Sequence, residues 1–180
     1  KPPEPVAMTE DQLKKFVGVF RDEKTHFPIR FTIDKGALKL GGTQLKPLSE
    51  TAFMMGNQRL SFALDKSGKP ITGQAIDPAG AVDRFVTESE WTPTTADLAS
   101  FAGDWFSEEA QAKVSFVIEN GKASIVNKPV IDLKLQPIYK DHFTGEGYVI
   151  WFTRNAKGKI ERMHVGTGRM RDMFFERTSR

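Results

Sequence analysis

Apolar and polar residues alternate along this chain in short runs, and the runs recur at regular spacing. Ile29, Phe31 and Ile33 share one parity, with Arg30 and Thr32 on the other. Leu38 and Leu40 continue the alternation, then Leu60, Phe62 and Leu64; Val114, Phe116 and Ile118 repeat it later. A period of two puts alternate side chains on opposite faces of a strand. Turn signals separate the runs: Asp34-Lys35-Gly36, Gly41-Gly42, Asp65-Lys66-Ser67-Gly68 and Pro78-Ala79-Gly80, then Glu119-Asn120-Gly121, Asn155-Ala156-Lys157-Gly158 and Gly166-Thr167-Gly168. The pattern predicts eight strands in the first half, near 16–21, 28–34, 37–41, 44–48, 52–55, 59–64, 71–77 and 82–87, and the same number in the second. Short strands joined by tight turns point to an antiparallel sandwich or barrel.

Each half opens on a different period. Leu13 and Phe16, and later Leu98 and Phe101, are spaced i, i+3 and would plug a helical face onto a core. Thr9 is a fit N-cap for the first of these turns, and Thr94 or Thr95 for the second.

The two halves are copies. Leu13, Phe16, Gly18 and Phe20 answer to Leu98, Phe101, Gly103 and Trp105 at an offset of 85 residues. Leu45-Lys46-Pro47-Leu48 then answers to Leu135-Gln136-Pro137-Ile138, Phe53 to Phe143 and Phe85 to Phe175, at an offset of 90. One five-residue insertion between about Val126 and Ile131 accounts for the change. A dozen matches in constant order mark a duplication, and that decides the architecture. The expected fold is all-β: two tandem eight-stranded antiparallel up-and-down barrels, which leave no free edge, each preceded by a short helical turn. The expected boundaries are a Pro-rich linker over 1–8, a first barrel over 9–88, a linker over 89–97 and a second barrel over 98–180. Trp91, in the second linker, reads as packed at the interface between the halves.

Composition narrows the rest. The net charge of +3 comes from 26 basic and 23 acidic residues that are interleaved, so no face is uniformly basic and no nucleic-acid partner is expected. The densest cluster, Arg169, Arg171, Arg177 and Arg180, reads as a charged strand edge. No run of about 18 apolar residues exists to span a membrane as a helix. With no cysteine, thiol catalysis and Cys-based zinc sites are excluded. The opening Lys1-Pro2-Pro3-Glu4-Pro5 reads as a stiff linker, expected where a processed product or fragment has lost its N-terminal neighbour.

Candidate chemistry is sparse. His26, His142 and His164 show no metal-ligand spacing, and their counterparts in the other half are Gln111, Ala52 and Gln74, so no metal or cofactor is expected. Lys66-Ser67-Gly68 matches the K-[ST]-G triplet of β-lactamases, but that chemistry needs an S-x-x-K nucleophile and the chain has none. It reads as a glycine-bearing hairpin turn, and Glu108-Glu109 as an acidic pair in a loop. No catalytic residue is expected in this chain. An eight-stranded barrel fills with side chains or holds one small ligand, and the many inward Phe point to filling. The second half is the more aromatic: Trp105, Tyr148 and Trp151 replace Phe20, Gln58 and Ser61. Those three, with Arg162 and His164 on one strand face, are the expected binding residues.

The pattern Leu-x-x-Phe-x-Gly-x-Phe/Trp, an apolar strand ending in Asp-Lys-Gly or Glu-Asn-Gly, Leu-x-Pro-Leu/Ile, and a terminal Phe-bearing strand resembles the lipocalin-like barrels C-terminal to serine hydrolases of the β-lactamase and penicillin-binding class. D-aminopeptidases of that class carry two such barrels in tandem. The resemblance covers Thr9 to Arg177, and its motifs are structural. It implies a serine hydrolase domain in cis, periplasmic or secreted, with these barrels as a non-catalytic accessory module shaping its active-site mouth. The alternative is a stand-alone binder of a small apolar ligand.

Overall fold

The computed structural model describes residues 4–127, 131–170 and 172–178. Two compact units divide between Ser89 and Glu90. The first contains α1 (Glu10–Lys14), β1 (Gly18–Asp22), β2 (Pro28–Asp34), β3 (Ala37–Leu40), β4 (Thr43–Gln44), β5 (Lys46–Pro47), β6 (Ala52–Met55), β7 (Gln58–Leu64), β8 (Pro70–Ile76) and β9 (Val82–Glu88). The second contains α2 (Thr95–Phe101), β10 (Gly103–Ser107), β11 (Ala112–Glu119), β12 (Lys122–Asn127), β13 (Ile131–Pro137), β14 (His142–Gly145), β15 (Tyr148–Arg154), β16 (Ile160–Thr167) and β17 (Met173–Arg177).

Within each unit sequence neighbours pair antiparallel, β4 and β5 excepted, and the first strand pairs with the last, β1 with β9 and β10 with β17. Both sheets are thus up-and-down, as the pattern predicts. The second is a closed eight-stranded barrel, and the first is nearly closed. The duplication holds in register as well as sequence. Gly18 pairs with Phe31 and Gly103 with Phe116, and the ladder slips at Ala63/Leu64 in one copy and at Thr153/Arg154 in the other.

The copies differ at one seam. The strand expected over 44–48 is two stubs, β4 paired to β3 and β5 paired to β6. Between them Leu45 is buried, and its N–H donates to the Leu38 carbonyl at 2.8 Å. In the second unit β13 pairs with β12 over Ile131–Leu135 and with β14 over Gln136–Pro137. The five inserted residues lengthen this hairpin: β12 has six residues where β3 has four. At Leu135 and Gln136 β13 passes from β12 to β14 without a break, and the barrel is closed. Residues 128–130, inside the insertion, lie outside the described residues.

A helix of five or seven residues is too short to stand alone. Thr9 with Gln12, and Thr94 with Asp97, form capping boxes that satisfy its first amides. Burial does the rest: Leu13 and Phe16 enter the first core, Leu98 and Phe101 the second. Trp91 stands edge-on to Phe101 and Phe143, so its ring joins the core of the second unit.

The first core is a web of phenylalanines centred on Phe62, whose ring centroid lies 4.8–5.8 Å from those of Phe16, Phe20, Phe31, Phe53 and Phe85. Edge-on pairs of this kind add to the burial term. Phe152 holds the equivalent place in the second core, 4.5–6.1 Å from Phe101, Trp105, Phe116 and Phe143.

Candidate functional site at the mouth of the second barrel

Phe175 is absent from the second web, and its cross-strand partner explains why. In the first unit Phe85 pairs with Gly73, and a Cβ on Gly73 would stand 2.2 Å from the Phe85 ring. The missing side chain lets the ring lie against the strand and join the web. In the second unit Phe175 pairs with Met163, which is fully buried. Met163 takes the space, and Phe175 stays at the end of the barrel away from α2.

That end is hollow. A cavity of about 290 Å³ is lined by Val114, Ile125, Leu133, Ile150, Val165 and Phe175, with Ile131, Asp132, Glu146 and Tyr148 also on its wall. The opposite end is stoppered: Leu98, Phe101 and Trp91 pack there against Phe116 and Phe143. The inward Phe gather around Phe62 in one core and Phe152 in the other, and the second barrel keeps an apolar hollow beyond its web.

The expected binding residues scatter. Tyr148 reaches the mouth and is 38% exposed. Trp105 is a core residue outside the lining of the hollow: it is fully buried, its indole N–H donates to the Phe101 carbonyl at 3.2 Å, and the Arg177 guanidinium lies 4.7 Å from its ring centroid. Trp151, Arg162 and His164 stand on the outer face of the barrel, since they alternate with the inward Ile150, Phe152, Met163 and Val165. There Trp151 is stacked between His142 and His164, at centroid distances of 6.4 and 5.0 Å. The structure joins Arg162, His164 and Trp151 on one face and separates them from Tyr148.

The same face holds two further groups, Asp172 and Thr153. Asp172 Oδ1 lies 2.8 Å from His164 Nδ1, and Thr153 Oγ1 lies 3.3 Å from its Nε2. A carboxylate thus sits beside a histidine. Eight residues separate the two in sequence, and the β16–β17 hairpin brings them together. Hairpin spacing, with Gly168 as its turn signal, was the only clue.

Other motifs settle into structure. Asp65 accepts from the Ser67 hydroxyl at 2.7 Å and from the Ser67 and Lys69 amides, so Lys66-Ser67-Gly68 is a turn. Asn155 does the same for Lys157 and Lys159. Arg177 is exposed, but β17 is paired on both sides and is no sheet edge. Arg177 donates to the Ser100 and Ala102 carbonyls at the end of α2, and partial desolvation there lowers its guanidinium pKa from the usual value. Arg171 and Arg180 lie outside the described residues. Among the described residues no cluster of three His, Asp or Glu is placed to hold a metal ion, and no helix is long and apolar enough to cross a membrane.

No family model matches this chain, and no curated protein compared with it does.

Proposed function

We propose that the second barrel binds one small apolar ligand in its open mouth, and that the two barrels serve a serine hydrolase domain in cis as an accessory module. The observation that carries the first part is the 290 Å³ hollow walled by aliphatic side chains and Phe175. Its size stands near the lower end for small-molecule sites, and its wall is apolar with few polar groups, as such sites usually are. Tyr148 supplies a hydroxyl at the rim, where Gln58 stands in the other copy. The second part is supported by the resemblance and by the tandem arrangement it implies. In that setting the mouth would offer a foothold for the apolar part of a substrate.

A neutral fluorescent amine, N-phenyl-1-naphthylamine, tests the binding. Its emission is expected to rise with a saturable curve on the parent chain and to stay flat on Leu133→Trp, which fills the hollow. Equal curves for both chains would sink the reading. For the accessory role, an upstream reading frame encoding an S-x-x-K hydrolase is expected. A genomic neighbourhood without one removes that part alone.

A further inference from the structure

We propose that Thr153, His164 and Asp172 form a hydroxyl–imidazole–carboxylate relay on the outer face of the second barrel and hydrolyse small carboxylic esters there. The inference goes beyond the binding mouth and does not rest on it. It gives the chain a reactive hydroxyl where motif reading found none, because such relays are recognised by geometry and not by sequence order.

The chemistry of the pair selects the tautomer. A carboxylate oxygen only accepts, so His164 Nδ1, 2.8 Å from Asp172 Oδ1, carries the hydrogen and donates a hydrogen bond to it. Nε2 is then left with a lone pair, aimed at the Thr153 hydroxyl 3.3 Å away. This is the form of imidazole that can take a proton from the hydroxyl, and such contacts are often long before substrate arrives. The ring is held in place by stacking on Trp151, with planes 10° apart. The His164 side chain is 12% exposed, whereas Thr153 is exposed, so the base sits behind the nucleophile.

Two more groups complete the face. Arg162 is directly opposite Thr153 across the ladder, where a cation would favour a developing oxyanion. Phe174, opposite His164 and 39% exposed, offers an apolar platform, and the Arg162 guanidinium lies 4.9 Å from its ring centroid. The charged and titratable groups around His164 are Asp172, Arg162, Glu176 beside Arg162, and His142 on the far side of Trp151.

The duplication supplies a control. Ninety positions earlier stand Ala63, Gln74 and Val82, with Ser61 for Trp151, Thr72 for Arg162 and Arg84 for Phe174. The first copy folds without any of the six, so the fold does not require them.

The chemistry balances with water as the second reactant. Thr153 Oγ bonds to the ester carbonyl carbon, and its proton passes to His164 Nε2. The bond from that carbon to the leaving oxygen breaks, and the leaving oxygen takes the proton. Water then attacks the acyl-threonine and gives a proton to Nε2. The bond from carbon to Oγ breaks, Oγ takes that proton back, and the acid departs. Asp172 and Trp151 are positioning residues.

The test is p-nitrophenyl acetate hydrolysis by the full chain, followed by stopped flow and by peptide mass spectrometry. Expected are a nitrophenolate burst and an acetyl group on Thr153. Thr153→Ala and His164→Gln should each lower the rate on the order of a hundredfold. Thr153→Ser should acylate at least as fast as the parent, because its hydroxyl is less hindered. Asp172→Asn should lower kcat for acylation and leave KM for the ester unchanged, as expected of a residue that orients the base and does not touch the ester. A Thr153→Ala rate within about twofold of the parent, or acetyl groups confined to lysines, overturns the proposal.

Discussion

Gly73 shows how one missing side chain organises a core. Its bare backbone lets the Phe85 ring approach to where a Cβ would stand only 2.2 Å away. Gly73→Ala must displace that ring from a close-packed web, at a cost typical of overpacking, about 1–3 kcal/mol. Urea unfolding of the first barrel checks this, and Phe85→Leu in the same chain should recover part of the loss. Little of this was legible in the sequence, where a glycine in a strand reads as a bulge or a close approach without saying to what. The aromatic substitutions Trp105, Tyr148 and Trp151 were visible, but not their separate fates. Parity was the neglected signal. Trp151 is out of step with Ile150 and Phe152, and His164 with Met163 and Val165, so both had to face outward. Asp172 was beyond reach, because its place depends on how the β16–β17 hairpin turns.

At the scale of elements, the strands were legible because glycine turns punctuate them and each copy checks the other. The failure at 44–48 came from length: a five-residue segment must serve both β3 and β6, and it changes partner at Leu45. The helices were legible through their caps, and the caps differ in a testable way. Asp97 accepts from the Thr94 hydroxyl and amide, which hold its carboxyl below the usual carboxylate range. A depressed pKa in the folded state contributes stability that is present above the unfolded value of about 4 and is lost as pH falls through the folded value. The second barrel should therefore lose stability in acid partly through α2, and Asp97→Asn should flatten that part of its melting-temperature profile. The box of α1 uses Gln12, which does not titrate. Gln12→Glu should give the first barrel the same acid dependence.

Over the whole molecule, two cores with separate helices, webs and caps imply two folding units. Residues 1–89 and 90–180, produced separately, should each show a cooperative thermal transition and a β-type circular dichroism spectrum. A fragment that stays unstructured would show that its core is insufficient by itself, as is common for domains of this size. The duplication was the most legible feature, and it also made the exceptions readable. What the copies share serves folding, and what only one copy has is left over for function. The stopper of Leu98, Phe101 and Trp91 carries a kinetic consequence. With that end of the second barrel shut, a guest in the hollow must leave by the opening through which it came. Its residence time then depends on the rim, where the Gly145-Glu146-Gly147 turn stands beside Tyr148. Changes there should alter the rates of both entry and exit.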